Sequence, residues 1–183
     1  MSVLKIELLG SEVLRRRAEE IVEVDDDLRR LIRDMFETMY HAEGVGLAGP
    51  QIGIERRVIV VDVREEGSNP FALINPRIVE STREMDKAEE GCLSIPGVAG
   101  VVERSARVVV EALSEMGEPV RIEAEGMLSR CLQHEVDHLD GVLFIDKLSP
   151  LKRNMVLKRY RTLLAEEEKG SDRRSSAPAR TRG

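Results

Sequence analysis

The 183-residue sequence predicts an α+β fold: antiparallel sheets packed around a central metal-binding helix, with an N-terminal helix and a C-terminal helix. Three observations carry this expectation. Residues 26–41 and 127–140 keep the 3.6-residue apolar period of amphipathic helices. Residues 100–124 alternate apolar and polar side chains about a turn, as an antiparallel hairpin does. Ser149-Pro150 then offers an N-cap and a first helical residue for a last helix. The order helix, strands, helix sets the second helix against a sheet.

Along the chain, Asp25, Asp26 and Asp27 supply a cap and a negatively charged first turn. Leu28, Leu31, Ile32, Met35, Phe36 and Met39 then form one apolar stripe, ending near His41 before Gly44-Val45-Gly46. Residues 57–63 read as a buried strand and 72–75 as another. Residues 100–113 and 119–124 form the expected hairpin about Met116-Gly117. Leu128, Cys131, Leu132, Glu135 and Leu139 mark the next helix at i, i+3, i+4, i+7 and i+11. The last helix should reach about Glu168. Residues 1–168 are thus read as one catalytic domain, and 169–183 as a disordered Ser/Pro/Arg-rich tail.

Composition narrows the function classes. No apolar run approaches the roughly 20 residues that span a bilayer, so no membrane partner is expected. Residues 1–20 mix charges throughout and hold no apolar signal core. A net charge of -6 and the absence of tryptophan argue against nucleic-acid binding by the whole surface or sequence-specific readout. Two cysteines, Cys92 and Cys131, make no disulfide framework, and a cytoplasmic location is expected.

Gly44-Val45-Gly46-Leu47-Ala48-Gly49 satisfies the G-x-G-x-x-G spacing of dinucleotide sites. That fingerprint needs a strand before it and a helix opening within it. Here a helix precedes it, and Pro50 disfavours helical backbone at Gly49. The small residues suit a strand or loop edge close to a ligand, with Gln51 offering an amide.

His134-Glu135-Val136-Asp137-His138 carries the chemistry. In a helix the two histidines lie one turn apart on one face and can close on one metal ion, with Glu135 beside it to handle a water proton. A catalytic site wants a third protein ligand. Cys131 lies about 10.5 Å of helix rise from His138 and reads better as a buried core residue. Cys92 is the better candidate, because Gly91 and Pro96 give its segment irregular backbone able to approach an ion. The competing reading leaves Cys92 merely buried and both histidines on a solvated face. His41 suits the negative end of the first helix, and Asp137 a solvated helix face.

Three segments stand in order: Gly44-Val45-Gly46-Leu47-Ala48-Gly49-Pro50-Gln51, Glu90-Gly91-Cys92-Leu93-Ser94, and His134-Glu135-Val136-Asp137-His138-Leu139-Asp140-Gly141. Together they resemble the signature motifs of peptide deformylases, which remove the N-formyl group from nascent proteins. The first departs at Gly49, where the family usually carries alanine. The resemblance implies Cys92, His134 and His138 as metal ligands and Glu135 as general base, then acid. It implies Gln51 and the Leu93 N–H as oxyanion donors, and Val45, Gly46, Glu90 and Arg130 along the groove for an N-formylmethionyl peptide. It further implies one divalent ion, natively Fe(II), with zinc, nickel or cobalt as substitutes, and an ion pair between Glu90 and Arg104. A zinc peptidase and a noncatalytic metal-binding protein docked on RNA are the alternatives.

Lys147, Lys152, Arg153, Lys158, Arg159 and Arg161 interleave with Leu151, Met155, Leu157, Tyr160 and Leu164. Such a helix either packs on the body with a solvated basic face or docks on the ribosome, as deformylases with a C-terminal helix do.

Overall fold

The computed structural model describes residues 2–67 and 69–175. Helix α1 (Asp26–His41) begins where expected, the Asp25 carboxylate accepting the Leu28 N–H at 2.7 Å. Strands β1 (Gly46–Ala48), β2 (Val58–Val61), β3 (Phe71–Ser81), β4 (Met85–Gly91), β5 (Ala99–Ser105), β6 (Arg107–Leu113) and β7 (Pro119–Glu125) follow. Helix α2 (Gly126–Leu139) and helix α3 (Pro150–Ser175) complete the order.

The strands build a five-stranded antiparallel sheet, in the order β1-β2-β3-β6-β7, and a separate β4-β5 pair. Strand β2 explains why its sequence is apolar without alternation. Val58 and Val60 join the core under α1, whereas Ile59 and Val61 join the core under α2. Both faces of the sheet are covered at this strand, so every side chain needs burial. A third core gathers Leu14, Ile95, Val102, Phe144 and Tyr160 beneath the small sheet and α3.

Two strand expectations change. Residues 100–113 are two strands in different sheets, not one arm of a hairpin. Only β6 pairs with β7, and β5 pairs with β4 from Met85↔Ser105 to Gly91↔Ala99. The break has a cause outside the strands. Gln133 of α2 accepts from the Ser105 N–H and donates to the Ser105 carbonyl, at 3.2 and 2.9 Å, replacing ladder partners. Strand β3 also runs well past the expected 72–75. It absorbs Pro76 at a bulge, where Asn75 takes a left-handed φ of 53° and bonds both backbone groups of Ile21.

Gly49 proves fitted to its place. A Cβ there would lie 2.5 Å from the Arg56 carbonyl oxygen and 2.9 Å from that of Ile54, so the turn after β1 closes against bare backbone. Helix α3 continues past Glu168 to Ser175, so 169–175 is helical backbone, and 176–183 lies outside the described residues. Its Tyr160, Val156, Leu157 and Leu164 face the third core. Leu151 and Met155, which interleave with the basic residues, are exposed.

The N-terminal arm ties distant segments together. Glu7 N–H donates to the Gln51 carbonyl, Leu9 N–H to that of Ser94, and Ala18 N–H to that of Leu139, each at 2.8 Å.

Candidate metal centre and cleft

Helix α2 is buried almost all round, which is what its central position between sheet and loops demands. Cys131, Leu132 and Leu139 fill the core under the large sheet. Three polar residues of the same helix, His134, Glu135 and His138, are also buried. Burying such groups is costly unless something pairs them.

The pairing is visible. His138 Nε2 lies 3.2 Å from His134 Nε2 and 3.2 Å from Cys92 Sγ, and the three ligand atoms fall within 4.8 Å of one another. A tetrahedral ion with bonds of about 2.0–2.1 Å to nitrogen and about 2.3 Å to sulfur spaces its donors about 3.4–3.6 Å apart. The two spacings about His138 therefore lie within a few tenths of an ångström of those an ion imposes. A thiolate and two imidazoles suit iron or zinc, whereas magnesium and calcium demand oxygen.

Tautomer and orientation are fixed from behind. His134 Nδ1 lies 3.1 Å from Glu90 Oε2. A carboxylate only accepts, so Nδ1 carries a hydrogen, and Nε2 is the nitrogen left facing His138. Burial, with His134 beside it, pushes the His138 imidazole well below its ordinary value and keeps it neutral, the form a metal binds. Burial also pushes the Glu135 carboxyl up, to about 7, against the pull of His134 and Arg104. Its Oε2 has no hydrogen-bond partner among the described residues. On the other side, a Cβ at Gly46 would meet Glu135 Oε1 at 2.4 Å, so no side chain fits there.

Glu90 is the hub of the buttress. Burial alone would raise its carboxyl, but Arg104 and His134 hold it well below the usual carboxylate range. Arg104 reaches it bidentately at 2.8 and 2.9 Å, and Arg130 adds a bond at 2.7 Å. The pair expected between Glu90 and Arg104 is therefore present. Arg104 also bonds Asp137, which pairs with Lys147 as well. Asp137 is thus a partner of β5 and not a solvated helix residue.

Cys92, His134 and Glu135 line a cleft of about 570 Å³, with His138 buried behind them. Val45, Gly46, Gln51, Glu90, Leu93 and Arg130 all line it. Arg130 lines it with its guanidinium engaged by Glu90, the Val102 carbonyl and Asp86. Gln51 is oriented by its neighbours. Its Oε1 accepts the Ala48 N–H at 2.9 Å, so Nε2 points to Ser94 Oγ and Cys92 Sγ, at 3.3 and 3.6 Å. His41 is exposed at the end of α1 and takes no part in the ligand set.

The model of the polypeptide deformylase family matches residues 3–154. The chain belongs to that family. A peptide deformylase of Thermodesulfovibrio yellowstonii is 49% identical over 164 residues, covering 88% of this chain and 99% of that protein. The crystal structure of a peptide deformylase from Synechococcus elongatus in complex with actinonin superposes with a TM-score of 0.83. It is 45% identical and covers 87% of this chain and 88% of that one. The peptide deformylase of Legionella pneumophila superposes at 0.84 with 42% identity, over 97% of this chain and 100% of that one.

Sequence reasoning gave no role to Ser94, Asp86, Ile6, Met127 and Val98 around the site. Ser94 stood in the second motif and Met127 in the first turn of the ligand helix. The others come from segments that only the folded topology brings near.

Proposed function

We propose that the protein is a peptide deformylase that hydrolyses the N-formyl group of formylmethionyl peptides and releases formate. The observation that carries this is a Cys92, His134, His138 ligand set at the base of the cleft, beside a buried carboxylate with one oxygen unpartnered among the described residues. The third ligand lies upstream of the helix, on a turn, which counts against the peptidase alternative.

The cleft also suits an extended peptide. Strand β1 is an edge of the large sheet, and β4 pairs only with β5, so two sheet edges flank the opening. Main-chain groups on such edges bind a peptide as an added strand. Val45 and Gly46 are assigned to one wall, with Glu90 and Arg130 as polar backing of the other.

Cys92, His134 and His138 would hold a divalent ion, which would supply Lewis acidity toward the formyl group and would lower the pKa of water from 15.7 toward about 7. Glu135 accepts the proton of the attacking water at Oε2 and then delivers it to the departing amine. Gln51 Nε2 and the Leu93 N–H donate to the carbonyl oxygen as it gains charge. One such donor contributes about 10²–10³ in rate. We assign Fe(II) as the native ion, with zinc, nickel and cobalt as substitutes, and a cytoplasmic location. No helix of the described residues is long and apolar enough to cross a membrane.

Protein prepared without oxygen and loaded with Fe(II) should release formate from a formyl-Met peptide and not act on the acetyl-Met analogue. Internal cleavage, or no release from loaded protein, would overturn the assignment.

Ribosome docking through α3 is part of the same proposal. Lys147 and Arg153 are paired with Asp137 and Asp146, whereas Lys152, Lys158, Arg159 and Arg161 face solvent beside exposed Leu151 and Met155. Changing those four cations to glutamine should abolish salt-sensitive ribosome binding while sparing turnover of a free peptide. Binding that survives would refute docking by this face.

A further inference from the structure

Three residues other than glycine hold a left-handed backbone among the described residues: Glu43 (φ 57°), Arg64 (φ 55°) and Asn75 (φ 53°). L-residues avoid this region, and it persists only where surroundings impose it. Asn75 is accounted for by its bonds to Ile21. The other two converge on one point. Glu43 immediately precedes Gly44, and Arg64 Nη2 donates to the Gly44 carbonyl at 2.9 Å.

Arg64 is itself held by two partners. Its guanidinium lies 5.7 Å from the centre of the Tyr40 ring, within cation–π range. The Tyr40 hydroxyl donates to Asp62 Oδ2 at 2.8 Å, and Asp62 Oδ1 accepts the Arg64 N–H at 3.0 Å. The Asp62 N–H donates to the Val45 carbonyl at 2.9 Å, and the Gly44 N–H to that of Met39 at 2.9 Å. The end of α1, the loop after β2 and the first cleft wall thus form a closed ring. Tyr40 and Arg64 are exposed, so the ring does not serve the core.

We propose that Tyr40, Asp62 and Arg64 form a clamp that positions the Gly44–Gly46 wall, and that it sets the affinity for the peptide, not the chemical step. The clamp holds the carbonyls of Gly44 and Val45, whereas Glu135 and the ligands stand on α2 and the turn after β4. A wall free to rock presents its N–H and C=O groups to a peptide for only part of the time, which taxes binding. The inference rests on the deformylase reading above. Arg64 is a positioning residue.

The test compares wild type, Arg64→Met, Arg64→Lys and Tyr40→Phe. Formate release by the wild type checks the underlying reading by itself. Given that activity, Arg64→Met should raise KM about three- to tenfold, the worth of one hydrogen bond. It should leave kcat within about twofold and the melting point nearly unchanged, because the side chain is exposed. Arg64→Lys and Tyr40→Phe should fall between. Independently of activity, amide hydrogen exchange at residues 44–46 should quicken in Arg64→Met while that of α2 does not. Unchanged KM and exchange would overturn the clamp. So would a fall in kcat and stability together with KM unmoved, which marks a merely structural role.

Discussion

Replacing Glu135 with glutamine is expected to leave the metal content intact and to lower turnover by about 10²–10⁴, the range of a lost general acid–base. The substitution keeps the shape of a side chain wedged against Gly46, where no additional atom fits. What it removes is the ability to take a proton at Oε2 and return it. Stability should not fall with activity. The carboxyl is buried, and burial has already pushed it up to about 7, so a neutral amide suits its surroundings at least as well. The pattern to look for is a metal-replete protein with unchanged or higher melting temperature and little formate release. Turnover within tenfold of wild type in such a preparation would remove Glu135 from the reaction.

Glu90→Ala should be the most damaging change to the fold. It strips the shared carboxylate from two guanidiniums, Arg104 and Arg130, each about 95% buried, and from the Nδ1–H of His134. Breaking a buried pair on one side typically costs about 3–5 kcal/mol, and here it leaves Arg104 with Asp137 and Arg130 with Asp86 as their remaining carboxylates. Loss of the group that orients a metal-bound histidine lowers metal affinity about 10–100-fold. Urea unfolding of the apoprotein separates the first effect from the second, and a chelator competition reads the second. A double-mutant cycle with Arg104→Met should show strong coupling. Independent, additive effects would mean that the network is decoration.

How much of this was written locally in the chain follows from how local each feature is. His134, Glu135 and His138 lie within one and a half turns of one helix, so their spacing alone predicted convergence. Cys92 needed only the glycine and proline around it. The helices were legible because their stripes meet a core on one side, and β2 because it meets one on both. Strand β4 was not, since its small sheet leaves most of its side chains in water and erases the alternation. The split at Ala106 was hidden because Gln133, far along the chain, supplies the Ser105 bonds. Asp137 was misjudged for the same reason: its partner Arg104 arrives from β5. The roles of Gln51, Leu93 and the groove residues came from resemblance to the family.

The N-terminal arm has a consequence for the order of events while the protein is being made. Synthesis delivers the arm first, yet its partner Leu139 and the ligand His138 are among the later residues. Closing contacts so distant in sequence is slow and entropically unfavourable until the intervening chain has condensed. A partly made chain therefore has no place to hold an ion at full strength. An ion must be taken up after translation of the catalytic segment is complete, by an almost finished fold, and the supply at that moment decides which ion the site captures.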